Sequence, residues 1–454
     1  MSIKEQRSEE IKNTMTQKET TNHIDAIIGL LNAKAEYAVL RNFEGLPHSN
    51  NSRDIDIIIT RKSYKAIKKE LVELIDNSGW KIVTYLHSDR LISYVCAVNS
   101  EESTEIVQWD FFFDTSVWGI ELMSAQEFLR HRAFNGYLYH IGTEGQFLDK
   151  YLYNRAVGSQ YPEKYRATRE AAEHSPIVTE KILAIFGYEN TAACDKASGG
   201  KLIMRALWAN IKKRPFALLC SILYFLYTFI GNYICSRTGL SVGFTGPDGS
   251  GKTTVIEMLL ARIAPVFGTA HKYYHFRPAL FGNLGEVAHS AGIKKEVDRD
   301  YSKPHRGGKT GTLNSLLRLA YYSMDYIVGY FVKVKSVTRI TRVVIFDRYY
   351  TDIICDSRRS RIYLSPKFLY RWGKLFIPSL NYNILLTASS ETILARKREL
   401  DEEGIRTINQ KIDYLSGKKG YRKVLNEAAP QVAVSDILNY IFEEQHKKNL
   451  RRLR

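Results

Sequence analysis

The chain has 454 residues and a formal net charge of +17, long enough for two or three domains that each bury a core. Five scattered cysteines (Cys96, Cys194, Cys220, Cys235 and Cys355) show no metal or redox spacing, which excludes a disulfide framework or zinc centre and suits a reducing compartment. The charge is unevenly divided: residues 1–200 hold 23 Lys+Arg against 28 Asp+Glu, while 201–454 hold the remaining 42 against 20, so the second half faces anions.

In chain order, residues 1–24 are polar and charged, carry no secretory signal, and are expected to be a flexible lead. The protein is therefore expected on the cytoplasmic side. A domain is expected over 25–200. Within it, Ser52-Arg-Asp-Ile-Asp-Ile-Ile-Ile59 reads as a strand that puts Asp54 and Asp56 on one face, with Cα atoms ~6.6–7 Å apart. Ile106–Phe113 reads as a neighbouring strand carrying Asp110. Three such carboxylates suit Mg²⁺ ions. The arrangement resembles the α+β nucleotidyltransferase fold of the polymerase-β type over about 25–120. That resemblance implies that Asp54, Asp56 and Asp110 bind the metals that activate a triphosphate and an attacking hydroxyl. The family's Gly-Ser or Gly-Gly before the loop is missing, with only Ser52 nearby. Both a catalytic domain and a silent substrate- or partner-binding module fit. Residues 121–190 read as helices, with Phe128, Leu129, Phe134 and Leu138 packing and Lys150 and Lys164 facing out.

An apolar hinge is expected over 201–238. Lys212-Lys-Arg214 precedes an uncharged stretch, Pro215 to Ser236, closed by Arg237. It is about long enough to cross a bilayer. Basic residues at both ends, and a second half that needs cytosolic nucleotide, favour a helix lying on a membrane or buried between domains over a single span. The basic tail, His446 to Arg454, would add attraction to anionic lipid.

The 239–454 domain opens with Leu240–Thr245, an apolar strand, followed by Gly246-Pro-Asp-Gly-Ser-Gly-Lys-Thr-Thr254. Strand, glycine turn and helix make a phosphate-cradling loop. Gly246, Gly249, Ser250, Gly251 and Thr254 would surround ATP, Lys252 would reach its β- and γ-phosphates, and Thr253 would ligate Mg²⁺. A short aromatic strand ends at Arg277-Pro278, and Leu313–Val334 reads as a core helix. The buried strand Arg342–Phe346 ends in Asp347, a second carboxylate for Mg²⁺, and Arg348, suited to phosphate. After another buried strand, Asn383–Ala388, Arg396 and Arg398 fall on a helix that leads into a polar stretch through Arg406, Lys418 and Lys419. This reads as a mobile lid.

Taken together, the loop, Arg277-Pro278, Phe346-Asp-Arg-Tyr349 and the Arg396/Arg398 segment resemble thymidylate kinase and its relatives over about 240–430. More narrowly, the chain is similar to two-domain thymidylate-kinase-like proteins encoded near bacterial surface-polysaccharide genes. The resemblance implies a P-loop NTPase sheet with flanking helices that uses ATP and Mg²⁺. It implies that Asp248 faces an acceptor's sugar hydroxyl, that Arg348 contacts phosphate, and that Arg396 and Arg398 supply catalytic cations. Arg277 joins Arg348 in holding the acceptor. The full Arg-Glu-Pro of the family is absent after the loop, which leaves the acceptor open: a nucleoside monophosphate or another small phosphorylated or sugar molecule. Two rivals stand beside a small-molecule kinase. One is an end-processing enzyme for nucleic acid, less favoured because no aromatic–basic reading platform is evident. The other is a non-enzymatic ATP-binding membrane adaptor for envelope polysaccharide.

Overall fold

The computed structural model describes residues 3–48, 53–235, 238–281, 311–338 and 342–453, with side chains from Lys18 onward. Ser52 and Arg237 lie outside the described residues. The chain divides into two compact units. The first comprises 1–98, 105–235 and 442–454, and the second 99–104 and 236–441.

The first unit is built on a mixed seven-stranded sheet. Its strands are β1 (Tyr37–Val39), β2 (Asp54–Ile59), β3 (Lys81–His87), β4 (Leu91–Asn99), β5 (Thr104–Phe112), β8 (Arg132–Phe134) and β9 (Tyr139–Ile141), while β6 (Asp114–Val117) and β7 (Ile120–Ser124) form a separate hairpin. The spatial order is β3-β4-β5-β2-β1-β9-β8. Helix α1 (Ile3–Lys34) buries Ile24, Ile27, Ile28 and Leu31, and α2 (Arg61–Asn77) buries Tyr64, Ile67, Leu71 and Ile75. Both sets recur every three or four residues, one stripe per helix against the sheet. The expected flexible lead is thus helical from Ile3. The expected helices of 121–190 are in part strands, and Phe134 is exposed on the short edge strand β8 instead of packing. Helix α3 (Thr143–Ala156) and shorter helices through 195 form a second core, joined by α4 (Gly199–Lys213), which buries Leu202, Ile203 and Ala206. Helix α5 (Pro215–Cys235) follows. Residues 201–238 therefore hold two helices, the first of them part of a core.

The second unit has a five-stranded, wholly parallel sheet: β10 (Leu240–Thr245), β11 (His271–His275), β12 (Val343–Asp347), β13 (Tyr382–Thr387) and β14 (Tyr421–Leu425), in the order β11-β12-β10-β13-β14. β10 and β12 are buried end to end, as parallel strands covered on both faces must be. Helices α6 (Lys252–Phe267), α7 (Thr312–Gly329), α8 (Glu402–Ser416) and α9 (Pro430–Leu453) accompany it. This is an α/β fold with flanking helices. The stretch expected to form a lid is largely α8, whose Ile405, Ile408, Ile412 and Leu415 are buried at helical spacing. It is fixed by packing, as an apolar stripe of that period dictates.

The last turns of α9 belong to the first unit. His446 Nδ1 accepts from the Ile82 N–H at 3.0 Å, Asn449 donates to the Ile82 and Val83 carbonyls, and Lys68 donates to the Leu453 carbonyl at 2.7 Å. The basic tail is thus part of a fold and not a loose strip.

Candidate phosphate site and acidic cluster

In the second unit, β10 feeds the loop 246–251, and the geometry there admits only glycine at two points. A Cβ on Gly246 would sit 2.0 Å from the Leu386 carbonyl oxygen. Gly251 caps α6 with φ +84°, and a Cβ there would meet Asn426 at 2.4 Å. The first-turn N–H groups of α6 lack intrahelical partners and gather positive potential. Lys252 is buried at that turn, and its Nζ donates to the carbonyls of Gly246 (3.0 Å) and Pro247 (2.9 Å). Burial, helped by the neighbouring Arg348, lowers its ammonium to about 8. Thr253 and Thr254 follow, both exposed.

β12 delivers Asp347, paired in register with Phe244 of β10 and His275 of β11. Tyr273 donates its hydroxyl to Oδ2 at 3.1 Å, and His275 Nδ1 lies 3.3 Å from the same oxygen. Burial alone would raise the Asp347 carboxyl, but His275 and Lys252 hold it below the ordinary carboxylate range. Arg348 takes φ +75°, a left-handed conformation costly for a side chain of its size. It is held there by its N–H bond to Phe244 O (2.8 Å) and turned inward by two carboxylates. Nη1 donates to Asp352 at 2.8 Å and Nη2 to Asp248. Arg359 donates to the other oxygen of Asp248. Asp352 is itself pushed upward by desolvation, although Arg348 lies against it.

These groups surround a cavity of about 510 Å³ whose lining includes Lys252, Thr253, Asp347, Arg348, Arg359 and Arg396. Asp248, Gly249, Gly251, Thr254 and His275 also line it, while Ser250 is buried in the turn beneath. The residues fit Mg²⁺-ATP on two observations. Lys252 opens a helix at the end of a glycine-bearing loop, and the exposed Thr253 lines the same cavity. Asp347 Oδ1, on the cavity lining, is buried without a hydrogen-bond partner among the described residues, and such an atom asks for a ligand.

Besides Gly246 and Ser250 of the loop, Arg277 and Arg398 lie apart from the cavity lining. Arg277 is buried in an ion pair with the fully buried Asp325 (2.8 Å), which also accepts from the N–H groups of Ala279, Leu280 and Phe281. Arg277 thus belongs to a pairing that pins its own loop. Arg398 is exposed beyond the end of the short helix Ser390–Arg396 and does not line the cavity. Arg396 does, with Nη1 donating to the Asn426 carbonyl at 2.8 Å. Sequence reasoning missed His275, Arg359 and Asn426. Only Arg359 left a signal, since Arg348, Asp352 and Asp356 recur at four-residue spacing just before it.

In the first unit, β2 and β5 run parallel with Asp54 opposite Gln108 and Asp56 opposite Asp110. One carboxylate oxygen from each of Asp54, Asp56 and Asp110 lies within 4.8 Å of the others. Burial pushes Asp56 up to about 7, against the pull of Arg41, and raises Asp110 as well. Arg41 bridges Asp56 and Asp149. Gln108 donates to both oxygens of Asp110 (3.2 and 3.0 Å). Three carboxylates converging this closely suit a divalent cation. A larger cavity of about 900 Å³ lies elsewhere in this unit, but its Glu121–Arg214 and Glu127–Lys181 pairs already satisfy one another.

No family model and no curated protein matches the chain. Among solved structures, thymidylate kinase from Ehrlichia chaffeensis is similar at 13% identity, covering 45% of this chain and 98% of its own, with a TM-score of 0.30.

Proposed function

We propose that the second unit is a P-loop kinase that transfers the γ-phosphoryl group of ATP to a nucleoside monophosphate or another small acceptor. One observation carries this reading. The ends of two adjacent parallel strands deliver Lys252, Asp347 and Arg348 to a single cavity at a helix N-terminus. Loop N–H groups hold the β- and γ-phosphates, and Lys252 leaves its carbonyl partners for them. Thr253 and Asp347 would hold Mg²⁺, which would supply charge neutralisation on the phosphates. Arg396 faces the migrating group. Asp248, braced by Arg348 and Arg359, orients the acceptor hydroxyl. The attacking oxygen, from the phosphate of a nucleoside monophosphate or from a hydroxyl of another acceptor, bonds to the γ-phosphorus as the bond to the β–γ bridging oxygen breaks, giving ADP and the phosphorylated acceptor, with a proton released only where a hydroxyl attacks.

The test is ADP release by the purified chain across nucleoside monophosphates, sugars and oligonucleotide ends. Stimulation by one class, lost in Lys252→Ala, is expected. ATP binding with no stimulation by any acceptor sinks the kinase reading in favour of an adaptor.

For the first unit, the proposal is a Mg²⁺ site on Asp54, Asp56 and Asp110, as the nucleotidyltransferase resemblance implies. Paramagnetic Mn²⁺ binding, lost in Asp56→Asn, would support it.

A further inference from the structure

Helix α5 has two unlike faces. One is fastened to the first unit at points from Leu218 to Asn232. Leu218 is buried near the start, and the backbone at Ser221–Ile222 lies so close to Gly119 that a Cβ there would meet it at 2.7 Å. Tyr224 shares a hydrogen bond with His87 Nε2 at 2.9 Å, and Asn232 donates to the His87 carbonyl at 2.9 Å. The other face, Phe216, Leu219, Leu223, Leu226, Ile230 and Ile234 with Tyr227 among them, is exposed, uncharged and mostly aliphatic or aromatic, with Phe216 78% accessible. Trp118, in the β6–β7 turn beside Gly119, and Trp208 of α4 are 56% and 57% exposed. Lys212 and Lys213, also exposed, end α4 just before the apolar face begins.

We propose that this surface seats the first unit on an anionic lipid bilayer, with α5 lying in the plane of the interface. Its composition matches that medium: aliphatic and Phe side chains for the acyl boundary, Trp at headgroup level, and lysines for lipid phosphate. α5 is also about long enough to span a bilayer, and the fastened face decides against that orientation. Crossing would strip Tyr224 and Asn232 from His87 and leave their polar groups in hydrocarbon, where each is costly. A continuous apolar face of this kind is more than soluble monomers ordinarily leave to water.

The experiment is flotation of the full-length protein with two kinds of vesicle. One is phosphatidylcholine alone; the other contains about 30% phosphatidylglycerol. The wild type should float with the anionic vesicles, and Leu219→Asp/Leu223→Asp should weaken partitioning by at least roughly tenfold. Lys212→Glu/Lys213→Glu should lose only the preference for anionic lipid. Trp208→Ser is the milder variant should the double aspartate fail to fold by circular dichroism; it should weaken binding with the fold intact. No flotation of the wild type with either vesicle overturns the proposal. So does a wild-type dimer that the aspartates convert to monomer without any vesicle binding, because a second copy would then cover the face. Alkaline carbonate should release the protein from cell membranes, and retention in the pellet would overturn the in-plane orientation in favour of a span.

Discussion

Both units gather aspartates at the ends of parallel-paired strands, yet Asp56 of the first and Asp347 of the second are shifted in opposite directions. In the first, Asp54, Asp56 and Asp110 crowd together with Arg41 shared between Asp56 and Asp149, and burial drives Asp56 and Asp110 upward. In the second, Asp248 is met by Arg348 and Arg359, and Asp347 by His275 and Lys252, so that Asp347 stays below its ordinary range. Neighbours decide the sign of each shift, because desolvation pushes every buried carboxyl the same way. Carboxylate oxygens gathered as closely as those of Asp54, Asp56 and Asp110 would suit a divalent cation. A cluster already balanced by arginine and lysine asks for a ligand that brings both signs, as a metal-bound triphosphate does.

The largest effect that would break this contrast is on turnover. Lys252→Ala should lower ADP release by about 10³- to 10⁵-fold, the range for removing a cation from a phosphoryl-transfer site. Asp54→Ala in the other cluster should leave that rate unchanged. Equal losses from both would mean that the two sites act as one. Arg359→Ala comes next. Freed of one brace, Asp248 should misplace the acceptor and lower kcat by about 10²-fold. Steady-state kinetics with ATP saturating would show it, and an unchanged kcat would remove Arg359 from the site.

Why the first cluster and the loop were legible in sequence while Arg359 was not follows from how each is assembled. The loop needs nine contiguous residues with glycines where backbone must approach a neighbour, and Asp54 and Asp56 share a face by strand period alone. His275 reaches Asp347 only because β11 pairs with β12 in that register, seventy-odd residues on in the chain. Arg277 showed the reverse: its place before a proline suggested a substrate contact, and Asp325 of α7 claimed it. Arg396 and Arg398 looked equivalent until the helix ended between them, at Arg396. Most of the stretch expected to act as a lid is helical, because Ile405, Ile408, Ile412 and Leu415 recur at helical spacing among its charges. Most of α5 was legible as apolar, but only the His87 contacts show which face is fastened.

The same contrast extends to acid. The first unit buries His23, stacked on Trp80 at 4.4 Å and accepting from Trp109 Nε1 at 3.2 Å. Burial lowers its pKa to about 3. The folded value lies below the unfolded one, so this neutral imidazole contributes stability above about pH 6.5 and loses it as pH falls toward 3. By pH 5 the loss should reach about 2 kcal/mol. Denaturant melts of the wild type and His23→Gln, followed through tryptophan emission, should show a shallower acid slope in the variant. Parallel slopes would place the acid sensitivity elsewhere.

The smallest effect is the most direct test of what the first cluster lacks. If Asp54, Asp56 and Asp110 hold a divalent ion, Mg²⁺ or Mn²⁺ at a tenfold excess over its dissociation constant should stabilise the first unit by about 1.4 kcal/mol. Asp56→Asn should abolish that gain, because the amide cannot neutralise the ion and one buried ligand is lost. The variant has a second consequence that a merely structural aspartate would not share. Removing a carboxylate that burial disfavours should leave the ion-free unit no less stable, with Arg41 still paired to Asp149. A variant that loses stability equally with and without metal would show that Asp56 serves Arg41 and not a cation. The two clusters would then differ only in how thoroughly arginine neutralises them.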